Sequence, residues 1–275
     1  MRGGQRVPRL ERAVNAAPGE TATLVRARVG GRTCRTTNQR SARHMAATSA
    51  TANTTATATV IYRPIRRSDI DAIVEQFYRT WGVDEPGDPA IARMTSRHFT
   101  LHYLEPATRG DIAEGPDGTF MGVTLTRVAG RPTLFDDTAD ELKRIDAELD
   151  ATPEGAAALA RTNAWHALET RMEDDIAVNS RCQGELELFL VAPAARGHGV
   201  GGTLWRRMLD HFAAEGVERY YLHTDSTCDV GFYDHKGLRR VAERYAKDHA
   251  DEPAGNGEDV FIYEGGIERE GGAEA

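Results

Sequence analysis

The sequence of 275 residues has no long apolar run, few cysteines and no aromatic residue among its first 57 positions. No segment approaches the roughly 18 consecutive apolar residues that a membrane-spanning helix needs, so we expect no membrane partner. The three cysteines, Cys34, Cys182 and Cys228, have no short spacing. This argues against a disulfide framework and against a zinc site, and it suits a reducing compartment. We therefore predict a cytoplasmic protein without a metal ion.

Positive charge is scarce outside the N-terminal segment. Residues 1–44 hold ten arginines, no lysine and two glutamates, a balance of +8, so the total net charge of −8 leaves −16 for the remainder. An acidic body repels the phosphates of nucleic acids and attracts cationic partners. We therefore predict no nucleic-acid partner.

Residues 1–57 are rich in Arg, Ala, Thr and Gly and show no sustained apolar period. Such a segment cannot bury enough apolar surface to fold alone. Its Arg-rich, acid-poor composition resembles an organellar transit peptide. We favour a simpler interpretation, a disordered tail or sequence upstream of a true start at Met45. Folded structure is then expected over residues 58–267, with a frayed tail at 268–275.

Periodic apolar residues predict the elements of the first half of the domain. Residues 57–63 are predicted as a strand, and residues 68–81 as a helix because apolar residues recur at helical spacing. The segments 98–104 and 119–128 alternate between apolar and polar residues, which is typical of strands.

Residues 130–180 are predicted as a helical insert. Thr138 and Glu141 have the spacing of a capping box, and Pro153 suits the first turn of a second helix. The insert holds twelve acidic residues against five basic ones. A solvated helix face is the simpler explanation of this charge, and a lid that attracts cations is the alternative.

The last third of the chain is predicted to contain four strands and two helices. In chain order these are strand 185–191, helix 202–215, strand 219–223, helix 229–235, strand 238–244 and strand 260–264.

A run with four glycines lies between the first of these strands and the first helix: Arg196-Gly197-His198-Gly199-Val200-Gly201-Gly202. Because glycine has no Cβ, backbone N–H groups can approach a ligand closely there. The following helix directs its unpaired N–H groups and its dipole to the same place. We therefore predict an anion site for a phosphate or pyrophosphate.

Gly197, Gly199 and Gly202 also match the dinucleotide-binding pattern G-x-G-x-x-G. Residues 192–195 separate these glycines from their strand, however, and too few strands are left for a doubly wound sheet. A dinucleotide-binding oxidoreductase, with Asp225 as the acid that binds the ribose, remains only an alternative.

The same run fits the pattern Arg-x-x-Gly-x-Gly, which Arg196, Gly199 and Gly201 form, with Val191-Ala192-Pro193 ahead of it. About thirty residues on, the segment Gly231-Phe232-Tyr233-Asp234-His235-Lys236-Gly237-Leu238 is similar to a Phe-Tyr-x-x-x-Gly-Phe motif. In these two motifs the chain resembles the GNAT superfamily of acyl-CoA-dependent N-acyltransferases, over about residues 58–267. The insert is longer than usual, and Ser226 and Asp229 depart from the frequent Asn and Ala, which leaves the substrate open.

The resemblance implies an α/β (α+β) fold, with a mixed, mostly antiparallel central sheet of six to seven strands flanked by helices and the helical insert at 130–180. It also implies acetyl-CoA as co-substrate. The pyrophosphate would bind the loop residues Gly197, His198, Gly199, Val200, Gly201 and Gly202, with a charge-assisted contact from Arg196. The pantetheine arm would pair with the backbone of Phe189, Leu190 and Val191, whose N–H groups would also stabilise an oxyanion.

Attack of an amine on a thioester needs a base, because a protonated amine is not a nucleophile. Glu185 and Glu187 lie on one face of a strand by its period of two. The spacing of Glu185, eleven residues before Arg196, is that of the general base in some family members and favours it over Glu187. Either carboxylate can instead line a polar sheet face or orient the substrate ammonium.

Tyr233 occupies the motif position of the tyrosine that protonates the leaving CoA thiolate in this family. Packing in the core is the alternative role for this side chain. His223 and His235 lie nearby in the sequence and can assist, although a lone histidine at a strand end is more often structural.

These inferences predict an N-acetyltransferase that moves the acetyl group of acetyl-CoA to a primary amine of a cationic small molecule or a protein by direct attack. The alternatives are a non-catalytic acyl-CoA-binding sensor on the same fold and the dinucleotide-binding oxidoreductase. Members of the family are often monomers or homodimers, and we expect one of these states here.

Overall fold

Seven strands form one sheet in a computed structural model that describes residues 59–83, 87–252 and 257–267. The predictions for residues 1–57 and for the tail 268–275 lie outside these described residues. The strands are β1 (Ile61–Pro64), β2 (Arg109–Glu114), β3 (Phe120–Val128), β4 (Gly184–Val191), β5 (Arg219–Asp225), β6 (Arg239–Arg244) and β7 (Val260–Gly266).

The strands lie in the order β1-β2-β3-β4-β5-β7-β6. Every neighbouring pair is antiparallel except β4 and β5, which are parallel. The predicted mixed, mostly antiparallel sheet is thereby confirmed. Dinucleotide binding at a switch point needs an open, mostly parallel sheet, so the oxidoreductase alternative loses its structural basis.

The described residues also form six α-helices. These are α1 (Ile70–Phe77), α2 (Pro89–Leu104), α3 (Thr138–Asp150), α4 (Pro153–Asp175), α5 (Val200–Ala214) and α6 (Val230–His235). None of them combines the length and the apolar character that crossing a membrane requires.

Helices cover both faces of the sheet. Val123 and Leu125 of β3 belong to a buried cluster that includes Leu101 of α2 and Ile145 of α3. Gly122, the neighbour of Val123, approaches α5 instead: a Cβ added there would lie 3.1 Å from Leu204. Because successive residues of a strand face opposite sides, α2 and α3 pack on one face of the sheet and α5 on the other.

The predicted strand at 98–104 is wrong, since these residues are the last two turns of α2. The Asp88 side chain accepts a hydrogen bond from the Ala90 N–H, and Pro89 occupies the first turn, so a helix starts well before the apparent alternation. Within it, His98, Leu101 and Leu104 are buried at intervals of three residues. Seven residues of alternation were too few to separate a period of two from one of 3.6.

The predicted capping box of Thr138 and Glu141 is also wrong. The Thr138 hydroxyl donates to the Phe135 carbonyl, and the Glu141 carboxylate is held by Arg67 and Arg97. The two helices of the 130–180 segment do form, and the Thr152 hydroxyl caps α4 by accepting a hydrogen bond from the Gly155 N–H at 3.1 Å. These helices contribute buried residues to the core, so the segment is part of the domain's packing.

Candidate active site

Strands β4 and β5 pair over three residues each and then separate. Residues 184–186 oppose residues 220–222, whereas β4 continues to Val191 and β5 to Asp225. A cavity of about 640 Å³ lies where they separate, and residues 185–189 and 222–225 line it. Diverging strands leave backbone N–H and C=O groups available to another partner.

Helices α2 and α4 and the end of α1 form the remaining walls of this cavity. Five aromatic side chains of these helical segments line it, namely Phe77, Trp81, Phe99, Tyr103 and Trp165, and Phe189 of β4 and Tyr233 of α6 line it as well. Seven carboxylates also line it, namely Asp88, Glu154, Glu169, Glu185, Glu187, Asp225 and Glu258, against the cationic groups of Arg161 and His223. The cavity is therefore both aromatic and acidic.

Glu185 is buried and held by several partners on neighbouring strands. Arg127 of β3 forms a salt bridge with its Oε2, and the Tyr221 hydroxyl donates to the same oxygen at 2.8 Å. His223 approaches from β5, with Nδ1 at 3.6 Å from the Glu185 Oε1 and Nε2 at 3.3 Å from Glu173 of α4. The Glu185 carboxylate thus has cationic partners on two sides.

The two predicted bases lie in opposite electrostatic environments. Burial alone raises the pKa of Glu185, but the hydrogen bond and charge of His223, with Arg127, lower it to about 2. Burial, reinforced by the Glu185 charge, holds the pKa of Glu187 well above its ordinary value. Burial lowers the pKa of His223, yet the contact with Glu185 and the charges of Glu169 and Glu173 raise it to about 9. Glu185 is therefore the anion of the pair, and Glu187 is the carboxyl group that holds a proton more readily.

A β-bulge sets the direction of Glu187. Leu186 lies opposite Thr126 of β3 and Leu188 lies opposite Leu125, so Glu187 is the extra residue. Leu186 packs in the cluster beneath α5, whereas Leu188 packs in the cluster beneath α1–α3. Glu187 Oε1 still contacts the Nε of Arg127 at 3.0 Å, so both glutamates share one arginine.

Tyr233 of α6 lies in the cavity wall, as its predicted role requires. Its ring packs against Trp205 at 6.1 Å and Tyr263 at 5.6 Å between centroids. Burial raises the pKa of Tyr233 above its ordinary value, so the phenol keeps its proton at neutral pH. No other described residue hydrogen-bonds to this hydroxyl, which leaves it available to a ligand.

The glycine loop lies directly before α5 and is open to solvent. Gly197 has a φ of 80° and Gly199, the N-cap, a φ of 72°, which are left-handed conformations that favour glycine. A Cβ added at either position would meet nothing within 4 Å. No described carbonyl accepts a hydrogen bond from the N–H groups of Gly199, Val200 or Gly201. The loop thus offers free N–H groups at a helix N-terminus, where an anion binds favourably.

The outer half of β4 connects this loop to the cavity. Ala192 donates its N–H to Met121 of β3, and the Leu190 carbonyl also faces β3 beside Gly122. Because the polar groups of a strand alternate in direction, Phe189 and Val191 direct theirs to the side that β5 has left. Of the three residues predicted to pair with pantetheine, Leu190 has its backbone engaged in the sheet.

Three other residues named from the sequence, Arg196, His198 and His235, do not line the cavity. Arg196 and His198 are exposed, and the His198 ring lies 3.2 Å from the Arg196 carbonyl. His235 is exposed at the end of α6. Cys228 lines the cavity, and burial raises the pKa of its thiol to about 11. A protonated thiol is a weak nucleophile.

Sequence reasoning missed Arg127, Glu169 and Glu173, which complete the charge arrangement. Arg127 was part of the predicted strand 119–128, where a single arginine does not by itself indicate a functional role. The two glutamates lie four residues apart on α4, on the same helix face. The excess of acidic residues in the 130–180 segment was the one feature of the sequence that could have indicated them. Two of those acidic residues, Glu169 and Glu173, do lie beside the candidate site.

Comparisons with known proteins agree with this architecture. A model of the acetyltransferase (GNAT) family matches residues 131–237. A search of curated proteins finds no match. Among solved structures, arylalkylamine N-acetyltransferase 2 from Aedes aegypti has a TM-score of 0.50 and 18% identity, over 76% of this chain and 99% of that one.

Two further solved structures are similar at lower scores. Polyamine N-acetyltransferase from Drosophila melanogaster has a TM-score of 0.48 and 13% identity, over 76% of this chain and 100% of that one. The ribosomal-protein-S18-alanine N-acetyltransferase from Escherichia coli has a TM-score of 0.45 and 14% identity, over 79% and 99%.

At 18% identity the similarity to the mosquito structure concerns the fold. The family match concerns the candidate site as well, because the matched residues include β4, the glycine loop and the helix that carries Tyr233. These are the segments on which the resemblance of the sequence rests. Residues 131–237 of the chain thus match the acetyltransferase (GNAT) family, and the fold is similar to that of a solved N-acetyltransferase.

Proposed function

We propose that this chain transfers the acetyl group of acetyl-CoA to a primary amine by direct attack of the amine on the thioester. The observation that carries the proposal is the acidic cavity between β4 and β5, with the Glu185–Glu187 pair on its wall. Its acidic lining favours entry of an ammonium ion, and the carboxyl pair can take a proton from it.

The binding site for acetyl-CoA extends from the glycine loop to the cavity. The free N–H groups at the start of α5 hold the pyrophosphate, and Phe189 and Val191 offer backbone groups to the pantetheine arm. Phe189 lines the cavity and also lies within 3.6 Å of a Cβ added at Gly201. This path brings the thioester to the wall that carries Glu187.

Glu187 serves as the general base. A base is most effective when its pKa lies near the working pH, and burial with the Glu185 charge moves the pKa of Glu187 upward. Glu185 remains ionised and paired with Arg127 and His223. Its role is to set the basicity of Glu187 and to fix the arginine between them.

Tyr233 protonates the departing CoA thiolate. Its phenol lines the cavity and stays protonated at neutral pH because burial raises its pKa. Cys228 lines the same cavity but keeps its thiol proton. Transfer therefore proceeds without an acetyl-cysteine intermediate.

Consumption of acetyl-CoA across a panel of amines tests this function. The panel contains an arylalkylamine, a polyamine and a lysine-containing peptide, and mass spectrometry follows acetylation of each amine. We expect steady turnover with at least one of them. Tight binding of acetyl-CoA without turnover of any amine would instead support the sensor alternative.

A further inference from the structure

Four aromatic side chains of the cavity form a continuous row. Phe77 contacts Trp81 at 4.5 Å and Phe99 at 5.6 Å between ring centroids, and Phe99 contacts Tyr103 at 6.2 Å. Trp165 of α4 adds a fifth ring to the lining. Four of these five, all except Phe77, are only partly buried. Large partly exposed rings in a cavity mark a place where an apolar ligand packs.

The cavity that contains this row also contains the carboxyl pair. Burial, with the charges of Glu169, Asp225 and Glu187, raises the pKa of Tyr103. Tyr103 and Glu187 both line the cavity. A ligand that lies along the rings therefore shares the cavity with Glu187.

Three of the lining carboxylates, Glu185, Glu187 and Glu169, already have cationic or potentially cationic partners, while Asp225 and Glu258 accept hydrogen bonds from Thr227 and Ser226. Glu185 and Glu187 share Arg127, and Glu185 also faces His223. The Glu169 carboxylate lies 3.2 Å from the Nδ1 of His166. A second ammonium inside the cavity would find these charges compensated, and it would lose its hydration among aromatic rings.

The carboxylates nearest the start of α2 and α4 are in a different position. Asp88 and Glu154 are exposed, and each accepts a hydrogen bond from a backbone N–H, those of Ala90 and Asp88 respectively. Exposed carboxylates attract a cation over distance but bind it weakly in water. Asp88 and Glu154 therefore attract an incoming amine, but they do not bind a second ammonium group of the same ligand tightly.

We propose that the acceptor is an arylalkylamine, a single primary amine joined by a short alkyl chain to an aromatic ring. Its ring packs along the row from Trp81 to Tyr103 and against Trp165, and its amine lies at Glu187. This inference rests on the proposed acetyl transfer and names its substrate class. It excludes polyamines and lysine side chains as preferred acceptors.

Two measurements on the full chain test the inference. The first compares kcat/KM for 2-phenylethylamine, hexylamine, spermidine and a lysine-containing peptide. The second measures binding of the same amines by calorimetry to the protein saturated with CoA, which needs no turnover. We expect 2-phenylethylamine to exceed spermidine and the peptide by at least about 100-fold in kcat/KM, and hexylamine by roughly tenfold.

Two variants in the cavity and one outside it test which residues determine the preference for 2-phenylethylamine. Trp165→Leu should lower kcat/KM for 2-phenylethylamine by at least about tenfold and leave that for hexylamine within about threefold. Glu154→Gln should change either value by less than about threefold, since the carboxylate is exposed. Phe135→Leu, an aromatic substitution outside the cavity lining, controls for stability.

The outcomes separate this inference from the acetyl transfer itself. Preference for spermidine or the peptide, lost in Glu154→Gln, would overturn the arylalkylamine assignment and leave acetyl transfer intact. Selective binding of 2-phenylethylamine to the CoA complex without turnover would keep the ligand class and remove the transferase step. Equal affinity for all four amines would overturn the assignment in either case.

Discussion

Glu185 and Glu187 are two residues apart on one strand, yet their carboxyl groups have different properties. Two cationic partners hold Glu185 as an anion, and that anion in turn raises the pKa of Glu187. Buried carboxyl groups whose pKa values are pushed apart in this way often divide the acid–base roles of an active site. The spacing argument from the sequence favours Glu185 as the base, whereas the environment of each side chain favours Glu187.

Replacing Glu187 with glutamine should remove the base with little change in shape. We expect Glu187→Gln to lower kcat by about 10² to 10⁴-fold. The rise of kcat/KM with pH that belongs to the carboxyl pair should also vanish, because Glu187 accepts a proton only above its raised pKa. A pH–rate profile of the variant against the unaltered protein measures both effects.

Glu185→Gln is the matched comparison. It removes the charge that raises the pKa of Glu187, so the rising limb of the profile should move to lower pH and persist. If Glu185→Gln abolishes the limb while Glu187→Gln leaves it in place, Glu185 is the base and the assignment above is wrong.

Tyr233 gives a second prediction on a single group. Tyr233→Phe keeps the ring and its packing but removes the proton donor, so we expect kcat to fall by roughly 10 to 10⁴-fold with little change in the Kd of acetyl-CoA. Tyr220→Phe, a buried tyrosine of the same core that does not line the cavity, is the control. Turnover that is equal in the two variants would remove Tyr233 from the mechanism.

Elements whose signals are local were predictable from the sequence. The glycine loop and α5 are contiguous, and the left-handed φ values of Gly197 and Gly199 explain the glycines there. Helix α2 was not predictable over residues 98–104, because its cap at Asp88 and its buried face are spread over 16 residues. Within residues 98–104 alone, apolar and polar residues alternate by chance.

The loop supports a prediction with an internal control. Gly199 and Gly130 have φ values of 72° and 77°, and a Cβ added at either would meet nothing within 4 Å. Gly199→Ala and Gly130→Ala should therefore each cost about 1–2 kcal/mol in the free energy of unfolding. Only Gly199→Ala should weaken acetyl-CoA binding, by at least about tenfold, because only Gly199 begins α5.

Urea unfolding and calorimetric titration with acetyl-CoA measure the two quantities. The phosphate-binding role of the loop is contradicted if both alanine variants bind acetyl-CoA as tightly as the unaltered protein does.

On the scale of the whole molecule, the candidate active site depends on elements that are far apart in the sequence. Arg127 comes from β3, Glu185 from β4, His223 from β5 and Glu173 from α4. The separation of β4 from β5 opens the cavity, and α2 and α4 enclose it. The charge balance of this cluster is linked to the stability of the entire domain.

His223 should make stability depend on pH. Folding raises its pKa from 6.5 to about 9, so the folded state holds a proton that the unfolded state releases between these values. Its contribution, at most about 3 kcal/mol, is fully present below pH 6.5 and is lost as the pH rises through about 9. The lowered pKa of Glu185 has the opposite effect, with stability lost as the pH falls from 4.5 towards about 2.

Chemical unfolding at a series of pH values checks this linkage. The decline between pH 6.5 and 9 should be shallower in His223→Gln than in the unaltered protein. A decline of equal slope in both proteins would show that His223 is not the linked group.

The sequence by itself indicated the resemblance to the family, the order of most elements and the glycine loop before α5. Those features depend on neighbouring residues, on glycines that permit a positive φ and on a helix that follows directly. Only the tertiary structure decided which glutamate has a raised pKa, which histidine contacts the pair and which rings line the cavity. Charge, burial and ring contacts act through space between β3, β4, β5 and α4, and a linear pattern contains no record of those distances.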